Sequence, residues 1–174
     1  MSTVSKVESV DILILIYIIV IVSLGAYFTK ESLVAKHILS ARQFTCQEVS
    51  SIFEIARYMQ NHISSSYRPL SGCQGGFINL FYQRSTRTHS TFEIAARILG
   101  LMVLYSTQAA DEFSSAAKGE SLEDTIRLFA GFPIVRIIAL RHPHEGSAQV
   151  AAEIADHFGR LFPLQPIIDA GVTA

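Results

Sequence analysis

Tryptophan is absent from this chain of 174 residues, cysteine occurs only twice, and charge is sparse: 14 Lys+Arg against 15 Asp+Glu, a net charge of -1. Two thiols, Cys46 and Cys73, cannot build a disulfide-rich scaffold or a four-thiolate zinc site. Without a clustered excess of Lys and Arg there is no electrostatic footprint for displacing counterions, so no nucleic-acid partner is expected. A composition of 49% hydrophobic and 17% charged residues excludes a disordered tail. What remains is a length that suits one ordinary domain with a sizeable core, plus an accessory segment.

The accessory segment is the longest apolar run. Residues 12–28 read ILILIYIIVIVSLGAYF, without a charge. As a helix rising 1.5 Å per residue this run reaches about 25 Å, near the lower limit for crossing a hydrocarbon core. Lys6, Glu8 and Asp11 precede it, whereas Lys30, Lys36 and Arg42 follow, so the positive-inside bias puts the remainder of the chain in the cytoplasm. A cleaved signal peptide fits poorly, because a basic leader and an A-x-A site are both missing. A buried strand or helix, or a start codon placed too far upstream, are the competing readings. The expected organisation is a polar N-terminus over 1–11, a membrane-spanning helix over 12–28, a linker over 29–36 and a folded domain over 37–174.

Beyond Lys36 helical and strand signals alternate. Thr45 and Glu48 have capping-box spacing, followed by Val49, Ile52, Phe53, Ala56 and Met59 on one helical face, a helix that should end before Ser64. Strands are expected over 77–82, 101–105, 134–140 and 166–169, and helices over 88–99, from Ser121, which has capping spacing to Asp124, through Phe129, and over 146–158. Polar loops are expected over 69–76 and 106–119. Strands separated by single helices imply right-handed crossovers. The predicted fold class is therefore α/β: a three-layer parallel sheet flanked by helices, with an N-terminal apolar helix.

Such sheets bind ligands beyond the C-terminal ends of their strands. Those positions hold Arg84, Ser85, Thr86, Arg87 and Thr88 after the first strand, Ser114 to Lys118 after the second, and Arg141 and His142 after the third. Hydroxyls, arginines and the opening of a helix together suit phosphate: guanidinium supplies forked donors and the helix end adds unpaired N–H groups. Taken alone, Ser85 or Thr86 reads more readily as a helix cap and Arg87 as a solvated residue, since capping is the commoner use of such residues. Glu120 is placed either to orient Arg87 or to open a helix as an exposed acid. His142 and His144 flank Pro143 without a third ligand and read as structural; no metal or other cofactor is expected. Cys73 reads as an ordinary thiol, and Phe92, Ala95, Ala96 and Leu99 as a core face.

The surroundings of the tetrapeptide carry a resemblance. LFYQRSTRTHSTFEIAARILG over 80–100, SSAAKGESLEDTIR over 114–127 and RHPHEGSA over 141–148, with HILSARQF over 37–44, are similar to the carbamoyl-phosphate-binding domain of aspartate carbamoyltransferases. The match runs over about 37–171 in the family's motif order, and KGES over 118–121 favours the aspartate enzymes over their ornithine-using relatives, which remain an alternative. The resemblance implies that Ser85, Thr86, Arg87 and Thr88 hold the phosphate, with Thr88 and Arg141 reaching the carbonyl oxygen. It implies that Ser114 and Lys118 enter the site of a neighbouring subunit, making carbamoyl phosphate the ligand of a homotrimer with shared sites. The catalytic set it implies is Arg87, Thr88, Arg141 and Lys118, serving transfer of a carbamoyl group to aspartate in pyrimidine biosynthesis.

Several positions depart from that pattern. Gln83 stands where an acid is usual, His89 where an arginine is usual, and Val172-Thr173-Ala174 where the pattern continues toward a His-Pro-Thr-Gln motif. The aspartate-binding domain does not follow within these 174 residues. The expectations are therefore a truncated product, one part of a split enzyme with a separately encoded aspartate domain, or a non-catalytic, membrane-attached anion-binding or interaction module, with turnover by the isolated chain not expected.

Overall fold

A computed structural model describes residues 37–63, 75–110, 118–158 and 166–171. Helix α1 spans Cys46–Ile63, and it opens on the expected capping box: the Thr45 N–H donates to Glu48 Oε2 at 2.7 Å while the Glu48 N–H donates to Thr45 Oγ1 at 3.2 Å. Strand β1 follows at Gly76–Phe81, helix α2 at Thr86–Ile98, β2 at Met102–Thr107 and α3 at Leu122–Ala130. The chain continues through β3 at Val135–Arg141, α4 at Ser147–Phe158 and β4 at Ile167–Asp169. All strand pairs are parallel and the order is β2-β1-β3-β4, with Ile38 adding an isolated parallel bridge to Ile168.

Alternation along β1 explains the layers, since successive side chains leave a strand on opposite faces. Phe77 and Phe81 meet Phe92 of α2, with ring centroids 6.4 and 6.3 Å apart. Ile78 and Leu80 point the other way, into a core shared with Ile138 and Leu140 of β3, Ile126 of α3 and Ala148, Ala151 and Ala155 of α4. Helix α2 thus covers one face while α3 and α4 cover the other, giving the expected α/β sheet flanked by helices. Small residues on the buried side of α4 let that helix approach closely. The core face proposed for α2 is correct: Phe92, Ala95, Ala96 and Leu99 are all buried.

Most element ends lie within a residue of expectation, and three differences are larger or of another kind. β2 runs on through Ser106 and Thr107, which were expected in a loop, because they pair with Asn79 and Leu80 of β1. Helix α2 begins at Thr86 rather than Thr88, so Thr86, Arg87 and Thr88 of the candidate anion motif form its first turn behind Ser85 at the N-cap. Phe53, assigned to the core face of α1, is 47% exposed, while Ile52 is buried. The apolar segment 12–28, Cys73 and Ser114 lie outside the described residues, and no described helix is long and apolar enough to cross a membrane.

The N-terminal stretch is tied to the far edge of the sheet. The Ile167 N–H donates to His37 Nδ1 at 2.9 Å, which leaves His37 Nε2–H to donate to Asp156 Oδ1 at 3.0 Å. Gln43 closes the following turn by accepting from the Leu39 and Ser40 N–H groups and donating to the His37 carbonyl.

Candidate functional site

The strand order reverses between β1 and its two neighbours: the chain leaves β1 for β2 on one side and returns to β3 on the other. In a sheet of this kind the switch point, beyond the C-terminal ends of β1 and β3, is where ligands bind. The two ends are laced together, since the Tyr82 N–H donates to the Arg141 carbonyl at 2.8 Å. The residue closing β3, Arg141, therefore stands beside the loop that leads from β1 into α2.

Arg141 is half-buried and incompletely paired. Its Nη1 donates to the Ala170 carbonyl at 3.4 Å, but its Nε is buried with no hydrogen-bond partner. The end of β4 wraps it: Gly171 adopts φ +102°, its N–H donates to Asp169 Oδ1 at 2.9 Å, and a Cβ at this position would stand 3.8 Å from Arg141 Nη1. A left-handed glycine here permits the turn at low cost.

The loop opposite Arg141 is equally unfinished. Ser85 occupies the N-cap position of α2 but its hydroxyl makes no cap hydrogen bond, contrary to the reading of it as an ordinary cap. Among the described residues, the side chains of Thr86, Arg87, Thr88 and Lys118 take no hydrogen bond or ion pair, and Arg87 and Lys118 are exposed. Unused hydroxyls, a guanidinium and the first-turn N–H groups thus lie at one end of the sheet, a surface whose chemistry suits an anion. Glu120 makes no contact with Arg87 among the described residues; its Oε1 accepts from Thr125 Oγ1 at 2.9 Å, where α3 begins. Nearby, burial raises the Tyr82 phenol above its usual range, with Glu120, Tyr105 and Glu123 adding to the effect and the Thr125 hydroxyl opposing it.

The histidine pair falls outside this surface. His142 Nδ1 accepts from the His144 N–H at 3.2 Å and from Ser147 Oγ at 2.7 Å, and its ring packs against Tyr82 at 4.5 Å. A nitrogen so engaged is not free to ligate a metal, and among the described residues no group of three or more ligating side chains comes together. A groove of about 400 Å³ beside His142 is lined by Glu123 and Glu145, whose charge disfavours phosphate.

One contact was not legible in the sequence: Gln108 Oε1 accepts the Ser85 N–H at 3.0 Å across 23 residues. No local spacing signals it, because it depends on β2 lying beside β1.

Residues 36–174 match the family described as aspartate/ornithine carbamoyltransferase, carbamoyl-P binding domain. The chain belongs to that family. It is 46% identical over 136 residues to the chloroplastic aspartate carbamoyltransferase 3 of Pisum sativum, covering 77% of this chain and 32% of that one. The solved catalytic subunit of the M. jannaschii aspartate transcarbamoylase superposes with a TM-score of 0.64 at 38% identity, covering 78% of this chain and 40% of its own. The Trypanosoma cruzi aspartate transcarbamoylase solved with carbamoyl phosphate and aspartate gives 0.66 at 32% identity, covering 79% and 41%. This carbamoyltransferase-family chain thus spans between a third and two fifths of the length of these relatives.

Proposed function

We propose that the chain binds carbamoyl phosphate at the β1/β3 switch point and supplies that half of an aspartate carbamoyltransferase site. The observation that carries the reading is the buried Arg141 Nε beside a loop holding Ser85, Thr86, Arg87 and Thr88, none of which finds a side-chain partner among the described residues. In this reading Ser85 to Thr88 hold the phosphate, Arg141 bridges phosphate and carbonyl oxygen, and Ser114 and Lys118 serve the site of a neighbour in a homotrimer.

The chemistry needs neither metal nor covalent intermediate. The aspartate amine attacks the carbamoyl carbon, charge develops on the carbonyl oxygen, the bond from that carbon to the phosphate oxygen breaks, and phosphate departs with the electron pair and takes up the proton the amine loses. Arg87, Arg141 and a neighbour's Lys118 stabilise the developing charge, and holding both reactants removes much of the entropy cost of their meeting. One such donor is worth about 2.7 to 4 kcal/mol of transition-state stabilisation. Calorimetric titration of the full chain with carbamoyl phosphate tests the site: saturable binding weakened in Arg87→Ala and Arg141→Ala is expected, and equal binding by folded variants refutes it.

The charge-free run over 12–28 favours a second reading, a membrane-attached module that binds the anion without turnover. Alkaline extraction of native membranes separates the two, since an inserted chain stays with the membrane pellet.

A further inference from the structure

Helices α2 and α3 both open on serine, and their first turns are built differently. At Ser121 (φ -74°, ψ 157°) the hydroxyl accepts the Asp124 N–H at 3.1 Å, an ordinary cap. At Ser85 (φ -157°, ψ 85°) the hydroxyl caps nothing, and the backbone N–H is instead held by Gln108 Oε1 at 3.0 Å. Gln108 is half-buried and directly follows β2. The next residue, Ala109, is buried at φ 56°, the sole non-glycine among the described residues with positive φ. A left-handed alanine is unfavourable unless its surroundings hold it there. Gln108 is therefore presented by a constrained turn.

We propose that Gln108 is a positioning residue of the anion site: by holding the Ser85 N–H it keeps Ser85 out of the cap conformation. The Ser85 hydroxyl and the N–H groups of Thr86, Arg87 and Thr88 then stay open to a tetrahedral oxyanion of the phosphate class. A serine free to rotate into cap geometry accepts a hydrogen bond from one of those N–H groups, so the helix satisfies itself and the anion must break that bond to enter. The acceptor is an amide rather than an acid for a physical reason. A carboxylate would hold the same N–H but set a negative charge against the incoming anion.

The inference rests on the reading of this strand end as an anion site, and inorganic phosphate is the probe. Gln108→Met keeps the length and removes the acceptor; its phosphate affinity should fall about three- to tenfold, the worth of one neutral hydrogen bond. Its thermal midpoint should not fall, because Ser85 gains a cap as it loses Gln108. In Gln108→Glu the Ser85 amide resonance should stay near its original position, while phosphate binding weakens by an amount that shrinks with added salt. Unchanged affinity in Gln108→Met overturns the inference and leaves the site reading standing. A loss of affinity that merely follows a fall in midpoint also overturns it, showing a structural role only. If the unaltered chain binds neither phosphate nor carbamoyl phosphate, the site reading fails and this inference with it.

Discussion

The buried Arg141 Nε, without an acceptor among the described residues, is an unfinished interaction, since a buried donor left unpaired costs more than a typical hydrogen bond returns. Arg141→Lys keeps the charge but removes Nε and the planar fork, so carbamoyl-phosphate affinity should fall about tenfold or more, from the 1.5 to 3 kcal/mol of a charged hydrogen bond. Calorimetry that finds lysine equivalent removes Arg141 from the site. His89 makes a second residue-scale case. Ser106 Oγ donates to Glu93 Oε2 at 2.9 Å, so His89 Nε2–H must donate to Ser106 Oγ at 3.1 Å, while Asn79 Nδ2 donates to the His89 carbonyl. Burial lowers the His89 pKa below 6.5, opposed by Glu93 and the Thr107 backbone. The folded chain therefore binds fewer protons here than the unfolded chain. The stability this contributes is present above about pH 6.5 and is lost as pH falls through the lowered folded value. The Glu93 carboxyl is lowered chiefly by its hydrogen bond from Arg97, so its contribution is lost in turn as pH falls below about 4.5. Urea midpoints should drop between pH 7.5 and 5.5, and drop less in His89→Gln; an identical drop counts against His89. The departure at residue 89 was visible in the sequence. Its partners, 10 and 17 residues away, were not, because only strand register brings them together.

Among the elements, the two serine caps make opposite predictions. Ser121→Ala should lower stability by about 1 kcal/mol, the usual worth of a cap, and leave phosphate binding unchanged. Ser85→Ala should leave stability nearly unchanged, since no cap bond is lost, yet weaken phosphate binding. Thermal denaturation paired with phosphate titration reads both, and a destabilised Ser85→Ala would contradict the uncapped start of α2. Capping signals were legible because they are local: Thr45 with Glu48 and Ser121 with Asp124 mark two helix starts to within a residue. Strand limits were less so. Ser106 and Thr107 look like loop residues, and only pairing with β1 makes them strand. Phe53 fits the apolar period of α1 yet is exposed, which periodicity alone does not foresee.

For the whole molecule, the order of motifs in sequence carried the sheet, because parallel strands joined by single helices leave few topologies open. That order also placed Ser85 to Thr88 and Arg141 at adjacent strand ends. It did not reveal that β1 and β3 flank the switch point, which follows from the observed order β2-β1-β3-β4. A site shared between subunits makes a demand that a single chain cannot meet. Arg87 belongs to the proposed anion loop and Lys118 to the segment proposed to reach a neighbour, so Arg87→Ala and Lys118→Ala chains should complement when mixed. Each trimer of the two would contain interfaces pairing an intact anion loop with an intact lysine, restoring carbamoyl-phosphate binding there. No restoration in oligomers shown to be mixed rejects donation of Lys118 in trans. Turnover asks for more, because positioning accelerates transfer only when both reactants are held. These 174 residues, spanning about a third of the Pisum sativum relative, hold the groups proposed for one of them. The 174-residue chain, supplied with carbamoyl phosphate and aspartate, should form no measurable carbamoyl aspartate until an aspartate-binding half is added. Turnover by the chain alone that vanishes in Arg87→Ala would overturn this expectation and show that the smaller assembly suffices.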